Sequence, residues 1–324
     1  MTEEAIIDPD RPIIDPHHHL WQGSRLGGKY LVEDLHADTE SGHNIVKTVF
    51  VECGASYREE GPEHLRPLGE TEFVIQQAKR SERKDGAVIA GIVGRADLGL
   101  GDGVREVLEA HLELGEGRFR GIRHAGARDP HPEALMIAGR APEGLYADGE
   151  YRTGMKVLGE MGLTFDTWHY HHQNPAFAEL ARACPNTQMI LDHFGTPLGV
   201  GPYADKREEI FEQWKKDIAE IAKCDNVVAK IGGMAMPDNG FGWHDQDEAV
   251  SSDEFVEAQK RYYLHTIECF GADRCLMESN FPVDKMSISY PVLYNGLKKI
   301  VAEFSEDEKH AMFYGNAERV YRLA

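Results

Sequence analysis

The chain has 324 residues, of which 41% are hydrophobic and 28% charged, proportions of ordinary globular material that exclude wholesale disorder. Its formal net charge of -20 repels phosphate backbones and anionic bilayers, so neither nucleic acid nor a membrane surface is an expected partner. Five widely spaced cysteines without a C-x-x-C pair, an acidic opening "MTEEAIIDPD" unlike a signal peptide, and no apolar run of about 20 residues point to a reducing, cytoplasmic setting.

The first strand is expected in "PIIDPHH" (12–18), which runs into three consecutive histidines. Side chains alternate across a strand, so His17 and His19 share one side, Asp15 has the same parity one layer below, and His18 points away. A helix over 31–42 follows. The next strand, "IVKTVFVEC", carries Glu52 near its end and leads to a helix over 70–82. Strand "VIAGIVGRA" and a helix over 104–114 precede "FRGIRHAG", which places Arg123 at a strand end. After a helix over 151–162, strand "LTFDTWHYH" gives His169 and His171 one parity. A helix over 175–184 leads to "TQMILDHFG", with His193 at its mouth. A helix over 206–224, strand "NVVAKIGG" with Lys230, a helix over 254–271, strand "RCLMESNFPV" and a helix over 290–304 complete the alternation. The closing segment, 305–324, reads as an extra C-terminal helix packed on the outside.

Eight strand–helix units predict an α/β fold with a parallel sheet, and eight closes a (β/α)8 TIM barrel, here one domain over 1–324. An open doubly wound sheet is the alternative, but no G-x-G-x-x-G follows the first strand. Turns into strands are short ("GEGR", "PN", "DN"), whereas segments leaving strands are long: 22–30, 54–69, 126–150, 196–205 and 234–251. Long βα loops build the active face of a barrel.

A lone histidine at a strand end is more often a polar core or loop residue than a ligand. Histidines at three independent strand ends (His17 and His19, His169 and His171, His193) favour one shared pocket of metal ligands or proton-transfer groups. His18 and His172 read as supporting or packing residues, His131, His244, His265 and His310 as surface or loop residues, and His124 is open. Arg123 suits a carboxylate or carbonyl clamp. Arg123, Lys230 and Glu52 fit substrate binding or structural ion pairs equally well. Trp21, Trp168, Phe194 and Trp243 lie near strand mouths, as pocket walls or as packing. Gly199 and Gly201 in "PLGVGPY" read as turn residues.

Asp15-x-His17-x-His19-x-Trp21, "LDHFGTP", "ESNFPVD" and the closing "NAERVYRL" resemble the amidohydrolase-related TIM-barrel family, and within it the predicted metal-dependent hydrolases of the lactonase type. The resemblance implies water attack on a lactone carbonyl at the barrel mouth. His17, His19, His171 and His193 match the family's histidines, and His17, His19 and His193 are the metal ligands it implies. One divalent metal such as zinc is expected, or none, because Asn280 stands where the family has an Asp that serves as ligand and general base. An Asn carboxamide orients water but takes no proton. Asp284, Glu278 or His193 is then the base, with Asp284 favoured as nearer the open rim. The resemblance implies a small-molecule substrate, a carboxylate-bearing lactone. The competing readings are metal-dependent non-oxidative decarboxylation and a degenerate ligand-binding barrel. A symmetric dimer is the expected form of any homo-oligomer.

Overall fold

Eight short strands pair in chain order into one parallel sheet: β1 (Ile13–His18), β2 (Ile45–Val51), β3 (Val88–Gly94), β4 (Phe119–Arg123), β5 (Thr164–Thr167), β6 (Met189–Leu191), β7 (Val227–Ile231) and β8 (Cys275–Met277). The first and last strands meet just beyond β8, where His18 bridges Phe281, Asn280 N donates to His17 O at 3.0 Å and His19 N donates to Phe281 O at 2.8 Å. The result is the (β/α)8 barrel. The computed structural model describes residues 4–24, 26–82 and 86–323. Arg25, in the predicted loop 22–30, lies outside the described residues, as do Met1–Glu3 of the opening and Ala324 of the closing helix.

Helices α1 (Val32–Thr39), α2 (Leu68–Ser81), α3 (Val104–Leu114), α4 (Gly149–Glu160), α5 (Asn174–Ala183), α6 (Arg207–Ala222), α7 (Ser252–Phe270) and α8 (Tyr290–Ile300) fill the connections. Helix α7 shows the local logic. Ser251 and Glu254 form a reciprocal cap, in which Glu254 N donates to Ser251 Oγ at 3.2 Å and Ser251 N donates to Glu254 Oε2 at 2.8 Å. Phe255, Gln259, Tyr262, Tyr263, Thr266, Ile267 and Phe270 then recur every three or four residues as its buried stripe. Among the described residues no helix is long and apolar enough to cross a membrane.

The terminal segment corrects the expectation of an outside helix. It forms α9 (Glu306–His310), a π-helical turn (Ala311–Gly315) and α10 (Asn316–Tyr321). Ala317, Val320, Tyr321 and Leu323 join Ile14, Val49, Val93, Ile190, Val228 and Leu276 in one buried cluster. The last turn therefore plugs the barrel at the end where the strands begin, because that end needs an apolar cover and these four side chains supply it.

The parity expected of β1 is also corrected. Asp15 pairs with Thr48 and His18 with Phe50, so three steps on β1 face two on β2, a bulge. The extra residue moves Asp15 off the histidine face. Asp15 instead accepts from Ser279 N (3.0 Å), Ser279 Oγ (2.6 Å) and Tyr290 OH (3.0 Å), between the sheet and α8.

Candidate active site

Beyond the bulge, His17 and His19 turn inward with ring centroids 5.0 Å apart, while His18 packs edge-on to Phe50 on the other side. His19 Nδ1 lies 2.8 Å from Val51 O, which fixes that ring by donation to a carbonyl. His193 reaches the same place by another device. It sits just past β6 with φ 52°, followed by Phe194 at 58° and Thr196 at 42°, a run of left-handed residues that non-glycine chains adopt only under local constraint. Its ring centroid stands 4.5 Å from that of His17.

Beneath the imidazoles lies a layer of buried charge. Glu278 joins the two rings from below: His193 Nδ1 is hydrogen-bonded to Oε1 at 2.7 Å, and His17 Nδ1 lies 2.8 Å from Oε2. Lys230 Nζ donates to Asp166 Oδ1 at 2.6 Å and lies 3.4 Å from Asp192 Oδ1. Arg123 Nε donates to Glu52 Oε1 at 2.9 Å, its Nη2 donates to Glu52 O, and its Nη1 lies 3.7 Å from Asp192 Oδ2. Burial pushes the Glu278 carboxyl up to about 8 and Asp192 up to about 7, each opposed by the Lys230 ammonium. Burial and the nearby cations hold His17 and His19 well below the ordinary histidine range and His193 down to about 3, so all three imidazoles are neutral. Burial works against Lys230 and Arg123, but the carboxylates around them outweigh it and raise both pKa values.

Above this layer opens a cavity of about 300 Å³. His19, His193, Arg123, Glu52 and Asn280 give it polar walls; Trp21, Trp168, Leu26, Ile137, Met236 and Val283 give it apolar ones. Trp168 Nε1 is buried with no hydrogen-bond partner among the described residues, a donor open to a ligand.

The predicted residues thus divide. His17, His19, His193, Arg123, Glu52, Asn280 and Trp21 come together. Lys230 is fully buried below the cavity floor, where Asp166 holds it, and is not among the residues that line the cavity. His169 and His171 do not join. Strand β5 ends at Thr167, so strand parity does not extend to them. His169 Nε2 bonds Asn174 Oδ1 at 2.9 Å and its ring packs on Phe177. His171 Nδ1 accepts from Leu198 N at 3.2 Å, beside His172 and Tyr203. Asp284 is not at the rim. The chain turns inward at Asn280, whose φ is 56°, and buries Asp284, which accepts from Ala235 N at 3.0 Å and from Asn280 Nδ2 at 2.8 Å. Burial pushes its carboxyl up to about 8.

Two members of the site were missed in the sequence, Asp166 and Asp192. Asp192 precedes His193 and carries the inward parity of β6, so strand alternation alone could have found it.

The donor set suits a cation, with His17 and His193 of the expected ligands joined by Asp192. His17, Asp192 and His193 bring their ligand atoms within 4.8 Å of one another. Both Asp192 oxygens and Glu278 Oε2 are buried and accept no hydrogen bond among the described residues. Neutral imidazole with unsatisfied carboxylate oxygen is the chemistry of zinc and similar divalent ions. His19 is not within this group, although its Nδ1 donates to Val51 O and its Nε2 stays available.

Residues 14–323 match the model of the family described as Amidohydrolase. The uncharacterized protein y4mH of Sinorhizobium fredii is 32% identical over 97% of this chain and 99% of its own length. An amidohydrolase from Burkholderia multivorans, whose crystal structure holds zinc, superposes with a TM-score of 0.74 at 20% identity, covering 96% of this chain and 99% of its own. A candidate 2-pyrone-4,6-dicarboxylic acid hydrolase from Pseudomonas putida gives a TM-score of 0.64 at 16% identity, over 96% and 97% of the two chains.

Proposed function

The chain belongs to the amidohydrolase family, and we propose that it hydrolyses a lactone or a related cyclic ester or amide at the barrel mouth. The observation that carries this reading is the His193–Glu278 pair. The buried Glu278 carboxyl holds Nδ1 of an imidazole that lines the cavity; once that carboxyl is ionised, above its raised pKa of about 8, Nδ1 donates to it and Nε2 is left as the proton acceptor. In this reading His193 takes a proton from water as the water oxygen attacks the carbonyl carbon. The ring C–O or C–N bond then breaks, and the leaving atom receives that proton back from His193.

The other groups bind and orient. Asn280 gives its Nδ2 to Asp284, which leaves Oδ1 to accept from the attacking water. Arg123 stabilises the developing oxyanion or a substrate carboxylate, and Glu52 fixes its guanidinium plane. Trp21 and Trp168 wall the ring of the substrate, and Trp168 Nε1 and Glu52 bind its polar edge. Proton transfer falls to His193, because neither His171 nor Asp284 lines the cavity. His17, Asp192 and His193 would hold a divalent ion such as zinc, which when bound polarises a carbonyl and lowers the pKa of water, and so takes over the activation of water that His193 Nε2 performs in its absence.

Purified protein should release acid from an unbuffered lactone, followed by pH-stat titration. His193→Ala should lose the activity and Glu278→Gln should lower it by about 10²-fold. Silence across a broad panel of sugar and aromatic lactones would sink the proposal. The bond between the raised Glu278 carboxyl and His193, which lines the cavity, favours a second reading, in which His193 relays that proton to a carbanion left by decarboxylation, and release of carbon dioxide would identify it.

A further inference from the structure

Lys230 lies directly against the donor set. Its Nζ is 3.3 Å from His17 Nδ1 and 3.4 Å from Asp192 Oδ1, and those two atoms are 3.8 Å apart. The ammonium therefore stands in the angle between two of the three side chains whose spacing suits a metal ion. It is held there. Asp166 Oδ1 accepts from it at 2.6 Å, the same oxygen accepts from Tyr321 OH at 2.6 Å, and the ring of Tyr321 lies 5.3 Å from Nζ. Lys230 is fully buried, so its amine has no route to solvent within this packing.

A divalent ion bound to His17 Nδ1 and Asp192 Oδ1 would sit within a few ångströms of this fixed positive charge, a repulsion that low-dielectric surroundings strengthen. We propose that Lys230 is the resident cation of the cluster and sets its metal affinity, with ammonium and divalent ion competing for Asp192 and His17. The proposal rests on the reading of His17, Asp192 and His193 as a donor set, and it is independent of which bond the enzyme cleaves. It gives Lys230 a positioning role: the residue keeps the carboxylates compensated, and the C-terminal plug keeps the residue in place.

The test is zinc binding by the full-length protein, measured by calorimetry with zinc alone as the probe. The proteins compared are wild type, Lys230→Met, the charge-balanced double variant Lys230→Met/Asp166→Asn, and the double variant with His17→Ala added; thermal melts establish that each is folded. The double variant covers the case in which Lys230→Met, with two carboxylates uncompensated, fails to fold. The expected result is zinc binding at least about tenfold tighter in the double variant than in wild type, with the gain abolished by His17→Ala. A folded double variant that binds zinc no tighter than wild type overturns the proposal. Tight stoichiometric zinc in wild type, unchanged by loss of the ammonium, overturns it while leaving the donor set intact. Zinc bound by none of the proteins overturns it together with the donor set, and lactone turnover, scored separately, then tells whether the hydrolase reading survives.

Discussion

Gly232 and Gly233 make room for the two groups that meet at the centre of the site. A Cβ at Gly233 would stand 2.0 Å from His193 Nδ1, and the residue adopts φ +69°. A Cβ at Gly232 would stand 2.5 Å from Glu278 Cγ and 2.4 Å from Glu278 O. Gly233→Ala should therefore push the His193 ring off Glu278 as well as strain the backbone. The expected cost is about 1–3 kcal/mol in urea unfolding, with loss of lactone hydrolysis at temperatures where the variant remains folded. A variant as stable and active as wild type would show that the ring has somewhere else to go. At this scale the sequence is only half legible. "KIGG" marks a strand end, but nothing in it names the side chains that fill the space beside a missing Cβ. "LDHFG" points Asp192 and Phe194 inward under simple alternation, whereas Asp192 and His193 reach the interior because His193 turns left-handed and Phe194 packs against Trp214 and Tyr263.

Among elements, the strands and helices were legible from alternating short β-branched runs and amphipathic stretches, and the failures share a cause. Period-2 counting holds only while a strand is regular and only for as long as it lasts. The bulge between Asp15 and His18 breaks the count on β1, and the four-residue β5 stops before His169. The terminal segment failed for another reason: its apolar residues fit an outer groove as well as a barrel end, and only closure of the ring decides between them. Its role is testable through Tyr321, whose ring is fully buried and whose hydroxyl donates to Asp166. Tyr321→Phe keeps the plug and removes the bond, at an expected cost of about 1–2 kcal/mol. Tyr321→Ala empties the barrel end and should cost about 3–5 kcal/mol. Equal effects in urea unfolding would mean that the hydroxyl, not the ring, carries the contribution.

Over the whole molecule, burial sets two opposed pH limits, and they can be argued from groups away from the candidate metal ligands. Glu70 accepts from Cys53 N at 3.0 Å and Ala55 N at 2.8 Å, yet burial and the Glu52 charge raise its carboxyl to about 8; Asp284 is raised equally far, by burial first. An acid whose folded pKa exceeds its unfolded value favours the native state below the unfolded pKa and loses that advantage as pH climbs to about 8. The histidines work in the other direction. Burial lowers His43, His111, His169 and His171 to about 4 and His124 to about 2. A base whose folded pKa is depressed supports the native state fully above its unfolded pKa of about 6.5 and loses that support as pH falls toward the folded value. Each group alters the slope by about 1.4 kcal/mol per pH unit at most within its window. Five histidines outweigh two acids below about pH 6.5, and from there to about pH 8 the acids dominate, until Lys298, held down to about 8 by burial, begins to oppose them, so stability should peak between about pH 6 and 7. Melting temperatures measured from pH 5 to 9 in one low-salt buffer series should fall on both sides of that peak. A profile that rises steadily to pH 9 would mean that Glu70 and Asp284 are ionised in the native protein and that their backbone donors outweigh the cost of burying them.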